Sequence, residues 1–107
     1  MKLMPIALAL AFAGGCAVAF AAAEHTVEQK GRTFSASTLT IKKGETISFV
    51  NDDNIAHNVM STTPGNEFNL GAQSPGVTST VTLSNAGEVS VLCAIHPRMK
   101  MTVTVSD

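Results

Sequence analysis

Near the end of the chain, Cys93-Ala94-Ile95-His96-Pro97-Arg98-Met99 places a thiol, an imidazole and a thioether on one short stretch. A second imidazole lies far upstream in Asp52-Asp53-Asn54-Ile55-Ala56-His57-Asn58-Val59. One thiolate, two imidazoles and one thioether form a soft, mixed donor set. Such a set suits copper, and two histidines with one cysteine, completed by a weak axial methionine, is the arrangement of one-electron copper centres. Three donors on one tight loop would set three corners, and His57 from a neighbouring strand would lock that loop to the fold. The thiol must be deprotonated to bind, which the metal itself promotes. Singly, each residue has a bland reading: a buried cysteine is usually a small hydrophobe, a strand methionine is usually core, and a histidine by a turn is usually solvated. Jointly, the spacing Cys-x-x-His-x-x-Met favours ligation.

The compartment sharpens this. Lys2, the apolar run from Ile6 to Phe20 and the small residues Ala21-Ala22-Ala23 read as an export signal spanning residues 1–23, cut before Glu24. The run is short for a membrane anchor, and no basic cluster follows it. A cut after Ala22 is one alternative, and Ala13-Gly14-Gly15-Cys16 offers a lipoprotein cut with Ala, not Leu, at its first position. The exported chain, residues 24–107, is expected to be one periplasmic domain with a modest core. It carries six Lys and Arg against eight Asp and Glu, which gives no basic surface for nucleic acid. Cys16 leaves with the signal, so Cys93 remains alone and cannot form an internal disulfide. An unpaired thiol in an oxidising compartment is a liability unless it is buried, reactive by design or bound to something.

The elements that would position these donors are strands. Apolar residues alternate at Leu39 and Ile41, Ile47 and Phe49, His57 and Val59, Val77 to Leu83, Val89 to Cys93, and Met101 to Val105. Lys43-Gly44 and Asn85-Ala86-Gly87 mark turns, whereas Ser61 to Gly76, rich in Gly and Pro, reads as an irregular excursion. About seven short strands predict an all-β, antiparallel sandwich. Residues two apart share a strand face, so Cys93 points inward with Val89 and Val91, where its strand becomes a loop.

Cys93 to Val105 resembles the C-terminal copper loop and last strand of the cupredoxins, especially plastocyanin, pseudoazurin and amicyanin. Phe49-Val50-Asn51 followed by His57-Asn58-Val59 resembles the strands leading to their first histidine. The resemblance implies a Greek-key β-sandwich binding one type 1 copper through His57, Cys93, His96 and Met99, and cycling between Cu(I) and Cu(II). Met101 competes for the axial place. Met99 is preferred because the family's ligand methionine is followed after three residues by Val-Thr-Val, as Met99 is here. The same likeness gives Asn58 the task of tying its strand to the cysteine loop. Ala56, Ile95 and Val91 stand where the family often has proline, proline and an aromatic residue.

Four protein ligands leave no open position for a substrate, so an electron carrier and not an enzyme is expected. A monomer would hand electrons to transient redox protein partners through His96, beside Ile95, Pro97 and Ala56, with Arg98 and Lys100 on the rim favouring an acidic partner. The alternative is a periplasmic copper-tolerance protein using the same site. Met60, Met99, Met101 and His25 lean that way, since extra thioethers and a terminal histidine add capacity for copper. A cut after Ala22 would make His25 the third residue of a square-planar nest for Cu(II).

Overall fold

The β-branched alternation of the sequence builds nine strands in the computed structural model, which describes residues 23–107. The expected export signal lies outside the described residues, apart from Ala23. In chain order the strands are β1 (Glu24–Lys30), β2 (Thr33–Phe34), β3 (Thr38–Lys42), β4 (Thr46–Asn51), β5 (His57–Ser61), β6 (Phe68–Gln73), β7 (Thr78–Thr82), β8 (Gly87–Leu92) and β9 (Lys100–Ser106). They form two sheets, ordered β2-β1-β4-β7 and β3-β9-β8-β5-β6. The inward sides are the alternating apolar positions, among them Ile47 and Phe49 of β4, Val89 and Val91 of β8, and Met101, Val103 and Val105 of β9, all buried. Phe49 stands at the centre, edge-on to Phe34 and stacked on Phe68.

The sandwich agrees with the sequence reading, with nine strands against about seven expected, and β1, β2 and β6 are the three that the alternation had not marked. β1 carries only Val27 as a buried apolar residue, so its hydrophobic pattern is faint. Backbone pairing with β4 holds it instead, from Glu24 opposite Thr46 to Gln29 opposite Asn51. That pairing is parallel, as is β3 with β9, so both sheets are mixed. The chain leaves the first sheet to form β3 in the second and then returns as β4, which brings β4 beside β1 running the same way. The third addition, β6, lies within the stretch expected to be irregular. Its pairing with β5 slips by one residue between Asn58 and Met60, and Gly71 on the bulged side holds a left-handed φ of 73°. A glycine in mid-strand hides the alternation.

The turn into β4 is closed by an acid. Glu45 accepts from the Lys42 backbone N–H at 2.7 Å and from His25 Nε2 at 2.9 Å. These bonds, the Lys42 N–H foremost, hold its carboxyl below the ordinary value of 4.5. A carboxyl lowered by folding stabilises the fold above its unfolded value, and that contribution is lost as falling pH protonates it. Glu45→Gln is therefore expected to melt below wild type at pH 7, with the gap closing as the pH falls below 4.5. Thermal melts of both proteins across that range check it.

Candidate metal centre

β5 and β8 are neighbours in the second sheet, but they pair only at Met60 and Leu92. Beyond that point they diverge, and the gap receives the chemistry. His57 opens β5 on one side; Cys93 follows β8 on the other. Asn58 bridges them with side-chain and backbone bonds in place of a ladder. Its N–H points at Cys93 Sγ at 3.3 Å, and its Oδ1 accepts from the Ala94 N–H at 3.1 Å. Its Nδ2 donates backwards to Asn69 Oδ1 and to the carbonyl of Gly71 in the β6 bulge. The bulge thus presents the acceptor that fixes Asn58, and Asn58 fixes the cysteine loop, the tie expected from the sequence. Asn58 is almost fully buried, so Asn58→Ala leaves several polar groups without partners. A loss of about 2–4 kcal/mol is expected by denaturant unfolding of the metal-free protein.

The loop closes on itself. The Cys93 N–H donates to the Met99 carbonyl at 3.1 Å, and the Met99 N–H to the His96 carbonyl at 2.9 Å. This ring turns His96 back over Cys93, with Sγ and His96 Nδ1 3.8 Å apart. His57 Nδ1 lies 3.1 Å from His96 Nδ1. The donor atoms of His57, Cys93 and His96 all fall within 4.8 Å of one another. Cys93 and His57 are buried, whereas His96 is half-buried. Met99, at the end of the loop, is also buried. Met101 lies on β9 opposite Val91, in phase with Val103 and Val105 in the core.

The tautomer of His57 follows from an acid that the sequence reading passed over. Asp53 Oδ2 lies 2.9 Å from His57 Nε2 and accepts its proton in a hydrogen bond. With Nε2 protonated, Nδ1 carries the free lone pair, and it is directed at His96 Nδ1. Two imidazole nitrogens and a sulfur converging in this way could hold a cation, and their softness suits copper. Asp53 is itself held by the Arg32 backbone N–H at 2.9 Å and the Asn54 N–H at 3.1 Å. The Arg32 bond first, and then the His57 bond, bring its carboxyl down to about 2. The signal available in the sequence was an acid four residues before a candidate ligand, in a loop.

Asn51, fully buried at the end of β4, pins both halves of that loop. Its Oδ1 accepts from the Asp53 N–H, and its Nδ2 donates to the carbonyls of Ile55 and Gln73. Gln73 pairs with His57 across β5 and β6, donates to the Phe49 carbonyl and accepts from Gln29 Nε2 at 2.6 Å. A buried polar layer therefore lies behind the histidine, built from residues that are far apart in sequence.

His96 opens to the surface in a concavity of about 430 Å³ lined by Arg32, Ile95, His96, Pro97 and Arg98. Arg98 stands on this rim as expected. Lys100 lines a different groove, with Ser37, Ser90, Met101 and Thr102, and Arg32 takes its place. Lys100 sits on β9, and one residue beyond the loop is enough to carry it off that face. His25 is far from a free nest: it lies within β1, bonded to Glu45.

Comparison with known proteins identifies the family. Residues 21–106 match the model of the copper-binding proteins of the plastocyanin/azurin family. The methylamine utilization protein MauL of Methylorubrum extorquens is 41% identical over 69 residues, covering 64% of this chain and 60% of that protein, less than two thirds of its length. Among solved structures, a purple cupredoxin from Nitrosopumilus maritimus superposes with a TM-score of 0.68 at 24% identity, over 77% of this chain and 99% of that one. Amicyanin from Paracoccus versutus gives 0.69 at 24% identity, over 81% and 85%. A copper-containing nitrite reductase from Thermus scotoductus gives 0.74 at 25% identity, but this chain spans only 25% of it. A soft two-histidine, one-cysteine cluster on a mixed sandwich and a family match over most of the chain lead to one conclusion: this protein is a cupredoxin, a member of the plastocyanin/azurin family of copper-binding proteins.

Proposed function

We propose that the protein is a periplasmic carrier of single electrons, with His57, Cys93 and His96 as the strong copper ligands and Met99 as the weak fourth. The observation that carries this reading is the convergence of three buried or half-buried donors with only His96 reaching the surface. Copper bound there supplies one-electron chemistry by cycling between Cu(I) and Cu(II). The remaining work belongs to the chain. Asp53 keeps the His57 lone pair on Nδ1, and the Asn58 N–H draws electron density from the Cys93 sulfur. The two backbone bonds within residues 93–99 and the Asn58 tie restrain the loop, so the ligands need move little between oxidation states. Four protein ligands leave no position for a substrate, which separates a carrier from an enzyme.

Ile95 is 53% exposed beside His96 and Pro97. An apolar port of this kind fits brief, low-area contacts between a monomer and its redox partners. Residues 1–23 act as the export signal in this reading. Copper-tolerance use of the same site is the weaker reading, because His25 is engaged in β1. The test is visible absorption during copper titration of wild type, Met99→Gln and Met101→Leu. One equivalent with intense thiolate-to-copper bands is expected, altered by the Met99 change. Met101→Leu should leave the bands intact and cost under about 1.5 kcal/mol. Bands altered by Met101→Leu and unmoved by Met99→Gln would reverse the axial assignment, and no bands at all would sink the carrier.

A further inference from the structure

The concavity beside His96 is lined by two arginines and no carboxylate, in a chain whose formal net charge is −1. Among the described residues, neither guanidinium has an ion pair or a hydrogen bond: the only polar contact of Arg32 is through its backbone, and Arg98 has none. Both side chains are exposed. Two unspent cations share this concavity with a half-buried histidine and its apolar neighbours Ile95 and Pro97.

The backbone at Arg32 adds a second observation. Gly31 and Arg32 both hold left-handed φ values, 62° and 58°, in the tight turn joining β1 to β2. Such turns ordinarily place glycine or asparagine there, because a Cβ is disfavoured in this region. Arg32 is the one described residue other than glycine with a positive φ. Its N–H is fastened to Asp53 Oδ2, which also holds His57. The turn is therefore tied by its main chain to the metal-ligand framework while its side chain faces outward. Asp53, which lines a neighbouring groove with Arg32, has its carboxylate engaged by the N–H groups of Arg32 and Asn54 and by His57, not by a guanidinium. A strained position kept by an arginine and aimed at the electron port is where recognition can reside.

We propose that Arg32 and Arg98 form a clasp for carboxylates, and that the occupant of this face is a redox protein whose own electron port is ringed by acidic residues. The inference rests on reading His96 as the port. A guanidinium presents a planar fork matched to a carboxylate, so two of them fix orientation as well as raise the encounter rate. The energetic effect at such an exposed rim lies mainly in association and in its salt dependence.

The probe is hexacyanochromate(III), a paramagnetic, redox-inert trianion, added to the metal-free protein and followed by amide line broadening. Broadening centred on Arg32, Ile95, His96 and Arg98 is expected, and it is lost in the Arg32→Gly, Arg98→Gln double variant. Arg32→Gly keeps the N–H to Asp53 and relieves the backbone, so folding is preserved. The second arm times oxidation of the copper-loaded, reduced protein by hexacyanoferrate(III) and by the cationic tris(phenanthroline)cobalt(III). At low salt the double variant should slow the anionic oxidant about tenfold and leave the cationic one unslowed, a difference that vanishes at high salt. Broadening elsewhere, broadening that survives the double variant, or concentration-dependent self-association through this face would overturn the clasp. An absent copper band would remove the carrier reading, and the first arm would still test the arginines on its own.

Discussion

Cys93→Ala is expected to fold, to show no charge-transfer band with copper and to lose almost all of the stability that copper confers. Cys93 is 1% exposed, and its sulfur is the only thiol among the described residues. Without metal the change removes one small buried group and the acceptor of the Asn58 N–H, a cost of about 1–2 kcal/mol. With metal the effect is larger. A ligand present at a thousand times its dissociation constant stabilises the folded state by about 4 kcal/mol. At ~4–8 °C per kcal/mol for a domain of this size, copper should raise the wild-type melting temperature by roughly 15–30 °C. Calorimetry with and without copper reads the difference directly. A copper-dependent shift in Cys93→Ala as large as in wild type would mean that the stabilising site lies elsewhere.

The second large effect is expected at Asp53. Asp53→Ala should weaken copper binding by about 10–100-fold, the range for losing the carboxylate that orients a ligand histidine. Two losses combine. His57 no longer has an acceptor for its Nε2 proton, so the lone pair is free to leave Nδ1. The Arg32 N–H also loses its partner, which loosens the turn between β1 and β2. Asp53→Asn keeps an oxygen that can accept one of these bonds and should fall between alanine and wild type. Chelator competition gives the affinities, and ¹⁵N shifts of the His57 ring give the tautomer. An unchanged tautomer with weakened binding would assign the effect to the turn alone, and affinity within twofold of wild type would remove Asp53 from the site.

Particular residues show where the sequence was legible. Val89, Val91 and Cys93 alternate, and their common face is buried as their phase required. Met101 falls in phase with Val103 and Val105 and joins the core with them. β6 was missed because Gly71 interrupts the alternation at the bulge, and β1 because one valine is too little pattern for a strand. Lys100 and Arg32 exchanged places on the rim because the copper loop and a turn far upstream meet only after the sheets close.

The local chemistry is readable from residue order: strand phase, three donors on the short stretch from Cys93 to Met99, and a donor set whose softness suits copper. Those properties depend on spacing within a few residues, and backbone geometry converts spacing into direction without further help. Which nitrogen of His57 is free, what lies behind it and which cations share the concavity of His96 emerge only in the packed fold. Asp53 reaches His57 because Asn51 folds the intervening loop, and Asn51 is positioned by Gln73 from another strand. Arg32 reaches the port because β1 pairs with β4. The Asp53–His57 contact spans only four residues, yet its geometry rests on Asn51 and on Gln73 from another strand. The place of Arg32 rests on β1 pairing with β4, so both are settled only when the strands assemble.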